Sequence, residues 1–127
     1  MAEYVPERGD LVWLEFSPQT VHEQAGRRPA LVVSPSGYNA KVGLALCCPV
    51  TSKVKGYPFE VVVPAELGVV GVVLSDQIKS LDWRARRARL IGRAPVGVVA
   101  EVLAFQRATR RVVLRVEIQN HISALVV

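Results

Sequence analysis

The sequence has little with which to bind a metal or close a disulfide: two cysteines and two histidines in 127 residues. The cysteines, Cys47 and Cys48, are adjacent. Neighbours on a strand point to opposite faces, so the two make a poor disulfide, and two thiols alone do not complete a zinc site. They are expected as small strand residues of a reducing compartment. His, Cys, Asp and Glu nowhere cluster at ligand spacing, so no metal or other cofactor is expected. No run of about 18 apolar residues occurs, so no membrane-spanning helix is expected. The first ten residues, MAEYVPERGD, carry charges and a proline where a secretory signal would be apolar. A cytoplasmic protein without membrane contact is the expectation. Half of the residues are hydrophobic, which suits a globular chain. The length suits one domain over 1–127, able to bury roughly two-thirds of its unfolded surface without a covalent staple.

Acidic residues are scarce in one part of the chain. Residues 1–79 hold 7 Lys/Arg against 8 Asp/Glu, a balance of −1, whereas residues 80–127 hold 9 Arg against 3 Asp/Glu, a balance of +6. The whole excess is arginine, whose planar fork matches phosphate geometry. A basic stripe of this kind points to a polyanionic partner, with a merely solvated surface as the competing explanation.

What is present is a series of short β-type runs between Gly, Pro and Ser. Strands are expected at Leu11–Phe16, Ala30–Ser34, Leu44–Val50, Phe59–Val63, Val70–Leu74, Gln77–Leu81 and Arg89–Ile91. The polar stretch SPQTVHEQAGRR, residues 17–28, is expected to be a long functional loop, and SGYNAKVG and DWRARR to be turns. Pro95 opens a helical spacing of Val98, Val99, Val102 and Leu103, which predicts a helix over Pro95–Arg107. The remainder, 108–127, is a C-terminal extension whose β-branched residues favour a strand. Trp13 and Trp83 are expected in the core or at an edge. Together these elements predict a mainly β protein with a late helix, folded as a small closed or half-closed antiparallel barrel.

Three polar constellations stand at strand mouths: HEQAGRRP (His22–Pro29), PVTS (Pro49–Ser52) and SDQ (Ser75–Gln77). With GDLVWLEFSPQ, YN, KGYPFEV, SDQIKSLDWRAR and the late helix, these blocks resemble the MazF/PemK/Kid toxins in the same order, from residue 4 to about 107. The resemblance implies a CcdB/PemK-like barrel related to SH3-like barrels, and a homodimer. It also implies a sequence-specific endoribonuclease restrained by a cognate MazE-like antitoxin with an acidic C-terminal segment. In that family the arginine before the proline, here Arg28, and the PVTS threonine, here Thr51, are catalytic. His22 and Asp76 match positions proposed for catalysis in the Kid toxin. Kid's arginine two residues before the aspartate is Leu74 here, so the MazF-like set of Glu23, Arg28 and Thr51 fits better.

Elementary chemistry asks for the same parts. Cleavage by the RNA's own 2′-OH needs a proton acceptor, charge stabilisation on the phosphorane and a proton for the departing 5′-oxygen. Arg28 can grip two phosphoryl oxygens, with Arg27 as the competing position. Thr51 can donate to phosphate or cap a turn. The base is open among Glu23, His22 and Asp76. A single-stranded RNA would be tracked by Gln24, Lys53, Lys55, Tyr57, Gln77, Lys79, Arg84 and Arg86. Two other functions compete. A gyrase poison of the CcdB type acts through a Trp-Gly-Ile end, whereas the sequence ends Leu125-Val126-Val127. A non-catalytic nucleic-acid-binding barrel would use Arg28 and Thr51 for phosphate binding alone.

Overall fold

The structure is a computed structural model and describes residues 3–15 and 26–109. In chain order it forms β1 (Asp10–Glu15), β2 (Arg27–Val32), helix α1 (Ser36–Val42), β3 (Ala45–Thr51), β4 (Glu60–Val62), a 3-10 turn (Ala65–Leu67), β5 (Val72–Leu74), β6 (Lys79–Leu81) and β7 (Arg89–Arg93). Residues 96–109 are helical and are termed α2. All seven expected strands and the late helix are present. The long loop expected over 17–28 and the extension 108–127 lie almost wholly outside the described residues.

The strands form one antiparallel sheet in the order β4-β5-β3-β2-β1-β7, with β6 paired to the early half of β3. Of the two forms expected, closed or half-closed, the closed one is not formed: no ladder joins β4 to β7 among the described residues. The sheet curls instead, and the 3-10 turn after β4 meets β7: a methyl group added at Gly92 would touch Leu67 Cδ2 at 3.3 Å.

Both faces of the central strands are covered, which fixes their register. Leu11, Leu31, Cys48, Val50 and Val73 share one cluster with Val102 of α2, while Val12, Leu14, Ala30, Val32, Cys47 and Trp83 share the other. The adjacent cysteines thus point to opposite faces, as strand geometry requires. Burial pushes the Cys47 thiol up to about 12 and the Cys48 thiol to about 11, so both are poor nucleophiles.

The stretch SGYNAKVG is not a plain turn but α1, ended by Gly43 in the left-handed conformation at φ 79°. Its sequence has weak helix propensity, and tertiary hydrogen bonds compensate. Buried Asn39 donates from Nδ2 to the Pro6 and Ser34 carbonyls at 2.7 and 3.0 Å, and accepts from the Ser34 hydroxyl at 2.5 Å. The Trp83 indole donates to the Asn39 carbonyl at 3.0 Å, tying the DWRARR turn to α1. The Glu7 carboxylate accepts from the Ser36 amide (3.1 Å) and hydroxyl (2.8 Å), capping α1 from outside the helix.

The Ser36 hydroxyl and the backbone amides hold the Glu7 carboxyl below its ordinary value of 4.5. Its contribution to stability is therefore complete above that value and lost as pH falls through the lower folded value. Urea unfolding of wild type and Glu7→Gln is expected to differ at pH 6 and to converge under more acidic conditions. A difference that stays constant with pH would show that the carboxylate charge is not what caps α1.

Candidate functional site

The β2–β3 ladder pairs Leu31 with Cys48 and Ala30 with Pro49. The ladder ends there, and Arg28 of β2 and Thr51 of β3 lie two places beyond its last pair. Both line a cavity of about 450 Å³ at the mouth of these strands, with Trp13, Arg27, Pro29, Val50, Ser52, Lys53 and the Gly68–Val70 turn. Its described lining holds three cationic side chains, Arg27, Arg28 and Lys53, and no carboxylate.

Arg28 is exposed and makes no hydrogen bond or ion pair with another described residue, so a surface ion pair does not account for it. The Thr51 hydroxyl oxygen accepts from the Lys53 amide at 3.1 Å, which shapes the turn and leaves the hydroxyl proton for an external acceptor. Turn capping and ligand contact are therefore compatible in this one side chain. The two groups supply what an oxyanion needs: a cation and a neutral donor from adjacent strands.

Thr51 is held from behind. Val72 of β5 pairs with it, and Gly71, at φ 146°, lies so close that a methyl group there would run into the Thr51 carbonyl and Ser52 Cα. Only glycine suits that backbone angle and that approach. Sequence reasoning passed over Gly71 and the turn before it; the glycine in a Val-rich strand was the available signal.

The third constellation lies elsewhere. Because β5 runs antiparallel to β3, it carries the chain away from Thr51. Asp76 lines a second cavity, about 900 Å³, with Ser75, Arg8, Gln106 and Arg107. Gln106 of α2 donates to the Cys48 sulfur at 3.0 Å and to the Ser75 carbonyl at 3.3 Å on that side. Asp76 does not line the Arg28–Thr51 cavity. His22, Glu23 and Gln24 lie outside the described residues.

The remaining expected contacts divide along β3. Lys53 lines the cavity, and Lys55 follows in a loop whose backbone donates to the Glu60 carboxylate at 2.9–3.3 Å. Tyr57, half exposed, stacks on Phe59 with centroids 5.1 Å apart, and Phe59 meets Phe105 of α2 at 6.1 Å. Gln77 is exposed beside β6, and Lys79 of β6 pairs with Cys47, well back from Thr51. Arg84 is committed to Glu3 at 2.8 Å and to the face of Trp83 at 4.2 Å. Arg86 donates to the Glu15 carbonyl at 3.1 Å, bracing the end of β1. Trp83 is buried as expected, whereas Trp13 both packs on the core and lines the cavity. Among the described residues no three His, Cys, Asp or Glu side chains stand together to hold a metal ion, and no helix is long and apolar enough to cross a membrane.

The Gly71 contact has a measurable consequence. Gly56→Ala, at φ 82° with nothing within 4 Å, is expected to cost about 1 kcal/mol through backbone strain alone. Gly71→Ala is expected to cost about 3 kcal/mol or more, because the strand end must also move. Urea unfolding of both variants checks this; equal losses would show that the Thr51 backbone yields freely.

Relatives place the chain in a known group. Residues 7–108 match the PemK-like, MazF-like toxins of type II toxin–antitoxin systems. The endoribonuclease toxin MazF of Escherichia coli (strain K12) is 53% identical over 88 residues, 69% of this chain and 78% of that protein. The endoribonuclease toxin ChpB of the same strain is 42% identical over 102 residues, 76% of this chain and 87% of that one. The solved MazE–MazF complex (Form-II) from Deinococcus radiodurans matches with a TM-score of 0.72 at 57% identity, over 80% of this chain and 91% of its own. On its sequence, its sheet order and its helix, the chain belongs to the PemK-like, MazF-like toxins of type II toxin–antitoxin systems.

Proposed function

We propose that this toxin is an endoribonuclease that cuts single-stranded RNA at the Arg28–Thr51 cavity, by attack of the substrate's own 2′-OH and without a metal. The observation that carries the proposal is the juxtaposition, in one cationic cavity, of a threonine hydroxyl and a guanidinium with no partner among the described residues. Arg28 binds the non-bridging phosphoryl oxygens and stabilises the phosphorane; Thr51 donates to the same group. Within one protomer the proton acceptor comes from the segment just ahead of β2, Glu23 or His22. Asp76, at the second cavity, takes part only if a second copy presents it.

The RNA strand leaves the cavity along Lys53, Lys55 and the Tyr57 ring, which share one loop. Gln77, Lys79 and Arg84 flank the opposite half of β3. At about 3.3 Å per residue, Thr51 lies roughly 13 Å from the level of Cys47, so those three contact the strand only at a distance from the cut. Arg86 borders the end of β1, and Gln24 belongs in sequence to the segment between β1 and β2. The toxin acts in the cytoplasm as a homodimer, which covers sheet edges that one chain leaves open. Its antitoxin is a MazE-like protein whose acidic C-terminal segment occupies the same cationic groove in place of phosphate.

Purified protein is expected to cut RNA fully in EDTA, leaving a 2′,3′-cyclic phosphate and a 5′-hydroxyl, and to spare an all-deoxy strand. Activity lost in EDTA and restored by magnesium, or cleavage of the deoxy strand, would refute this mechanism.

Arg28→Ala is expected to lower kcat/KM by about 10²–10³ with the melting temperature unchanged, since the side chain is exposed and holds no other described residue. An unchanged rate would move the centre of the site away from Arg28.

A further inference from the structure

Arg27 and Arg28 are consecutive on β2, so their side chains leave the strand on opposite faces and reach the cavity from different sides. Arg28 goes with Thr51. Arg27 goes with Trp13: Glu15 pairs with Arg27 and Trp13 with Pro29, which makes Trp13 and Arg27 diagonal neighbours on one face. The Arg27 guanidinium carbon lies 5.0 Å from the centre of the indole ring, within cation–π range. Arg27 is exposed, and its guanidinium has no hydrogen bond or ion pair with another described residue. Both residues line the cavity that holds Arg28 and Thr51.

The other arginine–tryptophan pair shows the contrast. Arg84 lies over Trp83, but Arg84 is tied to Glu3, Trp83 is 3% exposed, and neither lines a cavity described above. That pair is a clamp. The Trp13–Arg27 pair is a half-open stack at the mouth of the site.

We propose that the Arg27 guanidinium, supported by Trp13, is the stacking surface for an unpaired nucleobase next to the scissile phosphate. The proposal rests on the cavity being the place where RNA is cut. Arginine planes and aromatic rings both stack on splayed-out bases of single-stranded RNA. The indole beneath restrains the guanidinium, so less freedom is lost when a base arrives. A lysine would keep the charge but has no plane to offer.

The test uses an RNA strand carrying one 2′-deoxy nucleotide at the mapped cut site, so that it binds without being cut. A second strand also lacks one base beside that site. Arg27→Lys is expected to bind the complete strand about tenfold more weakly than wild type, in line with the loss of one base stack. The abasic strand is expected to bind wild type more weakly by a similar factor, and to bind Arg27→Lys no more weakly than the complete strand does. Thermal melting is expected to be the same for both proteins. Wild-type affinity in Arg27→Lys, or an abasic penalty that persists in the variant at both flanking positions, would overturn the proposal. A wild-type protein that neither binds nor cuts RNA would instead defeat the assignment of the cavity.

Discussion

The β2–β3 ladder places its pairs by burial on both faces of the sheet. Leu31 and Cys48 enter one cluster, while Ala30, Val32 and Cys47 enter the other. A slip of one residue would send each of these side chains to the wrong face. Two places past the last pair, Ala30 with Pro49, the two strands deliver Arg28 and Thr51 to one cavity. The site therefore takes its precision from the core beneath it, and β3 supplies more support by pairing with β5 and β6 as well.

The arrangement of charge follows from where the carboxylates went. Asp10 is buried and bonded to Tyr4 and Arg93, Glu7 caps α1, Glu3 meets Arg84, and Glu60 holds the loop before β4. Each is used in folding. The cationic residues at the cavity are left without such partners among the described residues, which costs little while they face water. It leaves a field that attracts phosphate and, on the proposed function, also attracts the carboxylates of an antitoxin.

Much of the fold was legible because it rests on local pattern. Val-rich runs bounded by Gly and Pro marked the strands, and Pro95 with its apolar spacing marked α2. Helix α1 was not legible, since seven residues of weak propensity are held by Asn39, Glu7 and Trp83 through contacts up to 44 positions apart in the chain. Whether the barrel closes stayed open for a similar reason: strand count does not say whether the two edges meet, and here a 3-10 turn rather than a ladder reaches from one to the other.

The sequence by itself marked the two halves of the candidate site, RRP and PVTS, through the order of its blocks and because each chemistry-bearing group sits at a strand mouth. Sequence could not say which mouths coincide. Arg28 and Thr51 meet because β2 and β3 are neighbours in a register set by burial. Asp76, equally suited in sequence, is carried to another cavity because β5 runs antiparallel to β3. In sequence Arg27 was the position competing with Arg28 and Trp13 a packing residue; the β1–β2 ladder put the two on one face. Chemical capacity is a property of each side chain, but proximity across a sheet depends on pairing between distant segments, and only the tertiary structure decides that.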